Sequence, residues 1–261
     1  GFSNGRSERF DRVCVATGSM KSSSLTTSLE KLGHTIEPLA PSLFAFDITD
    51  ERLKELAGIS LENVSVRVKS NGKSQTGPIL ITHRGLSGPA ILKLSAWEAR
   101  QLNESEYQFE IELNWLGGRT ESDIQTFFAR MRNQKGQQFV KSKLFDELPR
   151  RLWEKILSYV KIEGTLQWAQ LPKKLEAQLI KELITATFQV RGKTMNKEEF
   201  VTCGGIRLKE VNFKKMESRV IPHLYFAGEC LDYDGITGGF NFQGAWTTSY
   251  IAGTAMAEKQ V

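Results

Sequence analysis

Cysteine is scarce: Cys14, Cys203 and Cys230 are the only three in 261 residues, and none belongs to a Cys-x-x-Cys pair. That excludes a disulfide-stapled scaffold and a dithiol redox centre. Cys14 and Cys203 lie in apolar surroundings, where small buried side chains are expected. A reducing cytoplasm fits such usage. No apolar run is long enough to span a bilayer, so no membrane partner is expected. There is no internal repeat and no low-complexity tract. Nor does any Gly-x-Gly-x-x-Gly follow a strand, so the turn that lays backbone amides against a pyrophosphate is missing.

What is present is ordinary for a globular chain: 40% hydrophobic and 25% charged residues. The length suffices for one large or two smaller domains. The net charge of +5 is unevenly spread. Between Arg130 and Lys161 nine basic residues face three acids, which accounts for the whole excess. Such a stretch can attract nucleic acid or an anionic cofactor tail; equally, it can be a solvated helical face.

Phe10 to Ala16 reads as a short strand closed by Thr17-Gly18. Ser22 to Leu32 reads as a helix stopped by Gly33. Ile36 to Pro41 is extended, because proline disfavours helix in the residue before it. From Ser42 to Leu116 strands dominate: Leu43–Asp47, Val64–Val68 and Tyr107–Leu113 carry β-branched or aromatic residues with period-two alternation. Asn71-Gly72 signals a hairpin turn. One helix, Pro89 to Leu102, interrupts them. From Thr120 to Phe188 the period is helical, with stripes such as Ile124, Phe127, Phe128 and Met131. Val201–Ile206 returns to strand, Leu224–Ala227 is a buried strand, and Gly244–Glu258 is the last helix.

The most informative segment is Leu224 to Trp246: Leu-Tyr-Phe-Ala-Gly-Glu-Cys-Leu-Asp-Tyr-Asp-Gly-Ile-Thr-Gly-Gly-Phe-Asn-Phe-Gln-Gly-Ala-Trp. A buried strand ends at Gly228-Glu229, where a carboxylate can accept hydrogen bonds from sugar hydroxyls. Gly235, Gly238 and Gly239 let backbone approach a flat ring. Phe240, Asn241, Phe242 and Gln243 lead into a helix whose positive end suits an electron-rich ligand. Asp232 and Asp234 lack the further oxygen ligands of a calcium loop, so no metal is expected.

This wording resembles one family closely, the HI0933-like or BaiN/YhiN-type FAD-dependent oxidoreductases. Thr82-His83-Arg84-Gly85-Leu86-Ser87-Gly88-Pro89 and Val201-Thr202-Cys203-Gly204-Gly205-Ile206 resemble two further signatures of the family. The resemblance implies FAD as cofactor, with NAD(P)H as a possible electron donor and a small organic molecule as substrate. It implies cofactor contacts at Thr17, Gly18, Gly228, Glu229, Asp234, Gly235, Gly238, Gly239, Phe240, Asn241, Phe242 and Gln243. The run Ser19–Ser24 is shorter than the family's glycine-rich loop there. His83 is the candidate catalytic residue, able to exchange a proton near neutral pH; its alternative is a plain turn role.

The fold implied is α/β with an insertion: part of a Rossmann-like FAD-binding domain interrupted by a small antiparallel β domain and a helical subdomain. The expected boundaries are 1–41 for the first part of the FAD-binding domain, 42–117 for the β domain and 118–197 for the helical subdomain. A return strand at 198–206 and the closing part of the FAD-binding domain at 207–261 complete it. Without the phosphate-binding turn, the chain is expected to be a C-terminal portion of a longer protein and to bind FAD poorly alone. The different-class alternative is an RNA-binding or interaction module using the basic helices.

Overall fold

The computed structural model describes residues 7–70, 73–142, 145–194 and 201–258. It has two compact units, each with its own hydrophobic cluster: Gly1–Ser42 with Glu199–Val261, and Leu43–Glu198.

The first unit opens with β1 (Val13–Val15), α1 (Ser23–Lys31) and β2 (Ile36–Ser42). β1 is the outer strand of its sheet, and only Val15 of it is buried. Cys14 is therefore exposed, against expectation. α1 ends where the sequence places its stop: the N–H groups of Gly33 and His34 donate back to Glu30 O and Leu29 O at 2.9 and 3.0 Å. β2 carries two prolines, Pro38 and Pro41, which a strand with a single described neighbour can accommodate.

The second unit is built on a seven-stranded antiparallel sheet. Its strands are β3 (Ala45–Asp47), β4 (Ser60–Val68), β5 (Ser74–Ile81), β6 (Gly85–Ser87), β7 (Phe109–Asn114), β8 (Ala186–Val190) and β9 (Gly192–Thr194), in the order β8-β7-β4-β5-β6-β3-β9. Alternation sets the buried face: Val64, Val66 and Val68 on β4, Ile111 and Leu113 on β7, and Ala186, Phe188 and Val190 on β8. α2 (Pro89–Trp97) packs on β4 and β5 through Ala90, Ile91 and Leu94. α3 (Ala99–Glu104) follows. The single helix expected over 89–102 is thus two, broken at Glu98 (φ −107°, ψ 13°). Asn71-Gly72 lies outside the described residues, although the flanking strands pair as a hairpin, Arg67 opposite Ser74.

Three helices complete this unit: α4 (Glu121–Lys135), α5 (Arg150–Val160) and α6 (Lys173–Ile184). α4 begins with a capping box between Thr120 and Asp123. The helical period expected as far as Phe188 stops at Ile184. β8 and β9 then rejoin the sheet beside β7 and β3. The stretches 42–117 and 118–197, expected as two domains, are not separate: their described residues from Leu43 to Thr194 share one sheet and one continuous core.

The chain returns to the first unit with β10 (Val201–Ile206), β11 (Val211–Asn212), β12 (Glu217–Ser218), β13 (Leu224–Phe226) and α7 (Phe240–Ala257). β10 pairs antiparallel with β2, with a bulge between Cys203 and Gly205. β13 is buried throughout and runs parallel to β1, Val15 opposite Phe226. α7 buries only Ala252 and Ala255, leaving Phe242, Trp246 and Tyr250 exposed one turn apart. Among the described residues no helix is long and apolar enough to cross a membrane.

Candidate functional site

The parallel pair β1/β13 sends two turns out at the same end. Thr17-Gly18 follows β1, and Gly228-Glu229 follows β13. The Ala227 N–H donates to Val15 O at 3.0 Å, locking the two exits together. Glu229 is half-buried. Its Oε1 accepts the Thr202 N–H at 2.9 Å, while Oε2 lies on the Gly18 side, 3.9 Å from where a Cβ of that glycine would stand. The Thr202 hydroxyl beside it is buried and has no partner among the described residues. Thr17 is exposed. The Gly228 N–H donates to Thr248 Oγ1 at 2.9 Å, tying this turn to α7.

The loop from Asp232 to Gly239 is held from within. Asp234 Oδ2 accepts the Ser42 hydroxyl at 2.5 Å. Asn241 clamps Gly235 twice, accepting its N–H at 2.7 Å and donating to its carbonyl at 3.0 Å. Both polar atoms of Asn241, and one carboxylate oxygen of Asp234, are therefore spent on shaping the loop. α7 begins at Phe240, four residues before the expected start, because Gly239 takes the left-handed conformation (φ +86°) that turns the chain into the helix. No side chain caps this helix and no acid sits in its first turn, so its leading amides and positive end are available to an electron-rich ligand. Phe240, Phe242 and Gln243 are exposed there. Open amides, cleared backbone and a carboxylate oxygen beside a glycine fit the pyrimidine side and hydroxylated tail of a flavin. Among the described residues no group of three or more His, Cys, Asp or Glu could hold a metal.

His83 belongs to the second unit. It sits with Arg84 at the tip of the hairpin between β5 and β6. Thr82 closes that turn: its N–H donates to Gly85 O at 2.8 Å, and its hydroxyl accepts the Gly85 N–H at 3.1 Å. Gly85 (φ +148°) is enforced sterically, since a Cβ would stand 2.3 Å from Phe46 O. A cavity of about 370 Å³ opens beside the tip, lined by Asp47, Ile48, Asp50, Leu53, Lys54 and His83 among others.

The basic stretch is partly neutralised by acids that the fold brings to it from elsewhere. Arg132 pairs with Glu176 at 2.5 Å and Lys155 with Glu55 at 3.2 Å. Arg150 pairs with Glu154 at 3.0 Å within its own helix. Arg130 lies over the Phe127 ring at 5.1 Å.

Two features of the first unit escape sequence reading. One is the Thr202 hydroxyl beside Glu229; the Val-Thr-Cys-Gly-Gly-Ile wording was its signal. The other is a buried chain of Glu210, His34 and Ser218. Its partners stand 176 and 184 residues from His34, so no local signal marks it.

A family model described as the HI0933-like protein barrel and H2TH domain matches residues 40–201. A ribosomal RNA dihydrouridine synthase of Escherichia coli is 31% identical over 257 residues, covering 95% of this chain and 61% of the relative. A 3-dehydro-bile acid delta(4,6)-reductase of Clostridium scindens is 26% identical over 257 residues, covering 95% and 63%. A ribosomal RNA dihydrouridine synthase of Haemophilus influenzae is 29% identical over 256 residues, covering 95% and 60%. The chain thus spans about three fifths of the length of these curated relatives.

Proposed function

Because the chain belongs to the HI0933-like family, we propose that it is part of an FAD-dependent reductase that saturates a carbon–carbon double bond conjugated to a carbonyl. The substrate we favour is a uracil base in RNA. The observation that carries the flavin reading is the cluster at the ends of β1 and β13: Gly18, Glu229, the loop from Asp234 to Gly239, and the uncapped start of α7. We read this cluster as part of a Rossmann-like FAD-binding domain.

Support for the reaction class comes from the relatives' names. Making dihydrouridine adds two hydrogens across the uracil ring's double bond, which is conjugated to a carbonyl. Reducing a 3-dehydro-Δ4,6 bile acid saturates the same kind of bond. Each needs a hydride at one carbon and a proton at its neighbour. FAD, once reduced by NAD(P)H, would supply the hydride. The protein's part is to hold the ring and to deliver the proton. Glu229 Oε2 would accept a ribityl or ribose hydroxyl, and the first amides of α7 would face the electron-rich ring edge. His83 is the candidate to hold the proton for the substrate carbon. A reducing cytoplasm suits the three thiols, none of which is in a disulfide.

A second reading, with a small steroid-like enone as substrate, rests on the bile acid reductase relative. The test is direct. Gently purified full-length protein should release FAD on denaturation. Supplied with NADPH, it should raise the mass of a uridine-bearing ribosomal RNA fragment by two hydrogens. Absence of flavin sinks the proposal; reduction of a dienone steroid but not of RNA shifts it to the second substrate.

A further inference from the structure

Resting on the uracil reading, we propose that the cavity beside the β5–β6 hairpin tip is the pocket for the base itself. It takes a neutral, carbonyl-bearing ring held through His83, and it does not take the phosphate. The argument begins with charge. The charged side chains lining this cavity are already matched within the fold. Arg84 is paired with Asp47, whose other oxygen accepts the Thr194 hydroxyl. Asp50 receives the Arg52 guanidinium at 2.8 and 2.9 Å, and Arg52 reaches Glu182 at 2.7 Å. Burial alone would raise the Asp50 carboxyl, but the hydrogen bonds and charge of Arg52 outweigh it and hold the group below its usual range. Lys54 is paired with Glu51.

A phosphate entering here would have to pull Arg84 or Lys54 from a carboxylate and would meet Asp47 and Asp50. A neutral ring meets neither penalty. The polar side chains left unspent in the lining are His83 and Thr49; neither has a partner among the described residues. An imidazole N–H and a hydroxyl suit ring carbonyls. Ile48 and Leu53, both buried, supply apolar wall for a flat ring. The volume of about 370 Å³ lies at the small end of ligand cavities, roughly 300–1,000 Å³.

The test uses imidazole NMR on the 261-residue chain, which has three histidines, His34, His83 and His223. His83→Asn assigns the His83 signal. Uridine and uridine 5′-phosphate are then titrated separately. Both should move the His83 signal, with affinities within about threefold of each other, and Lys54→Ala should change neither by more than about twofold, as expected for an exposed ion pair. His83→Ala should weaken both by about threefold or more, the loss of one hydrogen bond at an exposed side chain. The proposal is overturned if uridine leaves His83 unmoved. It is equally overturned if the phosphate ester binds ten times tighter or more and Lys54→Ala removes that advantage. Binding is read without flavin, so the pocket can fail while RNA reduction succeeds; a protein that reduces only steroids fails the uracil reading instead.

Discussion

At the scale of single residues, both ring nitrogens of His34 find partners although its side chain is wholly buried. Ser218 Oγ accepts the N–H groups of Val220 and Ile221 at 3.0 and 2.8 Å, so its own hydrogen goes to His34 Nε2 at 3.0 Å. Nδ1 must then carry the proton, which it gives to Glu210 Oε2 at 3.1 Å; the Thr35 N–H donates to the same oxygen at 2.9 Å. A carboxylate–imidazole–hydroxyl chain is the arrangement of a nucleophilic triad, but this hydroxyl is buried and committed to the fold. Its consequence is stability. Burial by itself would raise the Glu210 carboxyl, yet the bonds from Thr35 and His34 lower it. A carboxyl lowered on folding stabilises the protein above its unfolded value, and that contribution fades as pH falls through the folded one. We predict that Glu210→Gln lowers the melting temperature at pH 7 and flattens its fall on acidification. An acid limb parallel to wild type would show that Glu210 is not the linked group. Glu229 carries the second residue-scale prediction. In the full-length protein Glu229→Ala should weaken FAD retention about tenfold, the loss of a charge-assisted hydrogen bond worth roughly 1.5–3 kcal/mol. Equal flavin content in the variant after dialysis would mean that Glu229 Oε2 points at nothing in the cofactor.

At the scale of elements, single glycines decide geometry. Gly85 lets β6 return alongside β3 (Asp47 opposite Gly85) and thereby aims His83 outward. A side chain there meets Phe46 O at 2.3 Å and Ile48 N at 2.6 Å. We predict that Gly85→Ala costs at least about 2 kcal/mol in urea unfolding, from backbone strain plus overpacking. A cost below about 0.5 kcal/mol, the level of a neutral surface change, would show that the turn relaxes freely. Elements were legible in the sequence where periodicity was local and strong. The stripes of α4, α5 and α6, the buried run of β13 and the alternation of β4 all fell where their spacing placed them. Elements were misread where tertiary context decides. Ala186–Val190 follows a long helical pattern, and its own alternation is only five residues long; pairing with β7 makes it a strand. The first turn of α7 looked like loop because its residues, Phe240 to Gln243, follow a glycine run and carry no capping side chain. In the candidate site, the sequence marked the glycines and Glu229. It could not show that Asn241 turns inward onto Gly235 or that the Thr202 hydroxyl, next to Glu229, has no partner among the described residues.

At the scale of the whole molecule, the two hydrophobic clusters make the segment Leu43–Glu198 a candidate for independent folding. Its entry and exit are adjacent: β3 and β9 pair antiparallel, with Ala45 opposite Thr194, so the insert closes on itself at its base. Nearby termini are what let one domain be inserted into another without strain. Its cluster contains Trp115, Trp153 and Trp168 together with buried residues of the sheet and of the helices. These side chains each contribute roughly 1.5–3 kcal/mol of burial against conformational entropy, enough for a cooperative core at this size. Of the five tryptophans, four lie in this segment and three of those are buried, whereas Trp246 on α7 is exposed. Tryptophan emission of the whole chain therefore reports mainly on the insert. We predict that a Leu43–Glu198 fragment unfolds in urea in one cooperative step, with the emission shift and midpoint seen in the 261-residue chain. Loss of cooperativity, or a midpoint lowered by more than about 1 M, would mean that the insert borrows stability from the first unit; for a urea slope of about 1–3 kcal/mol per molar, that is a coupling of at least roughly 1 kcal/mol.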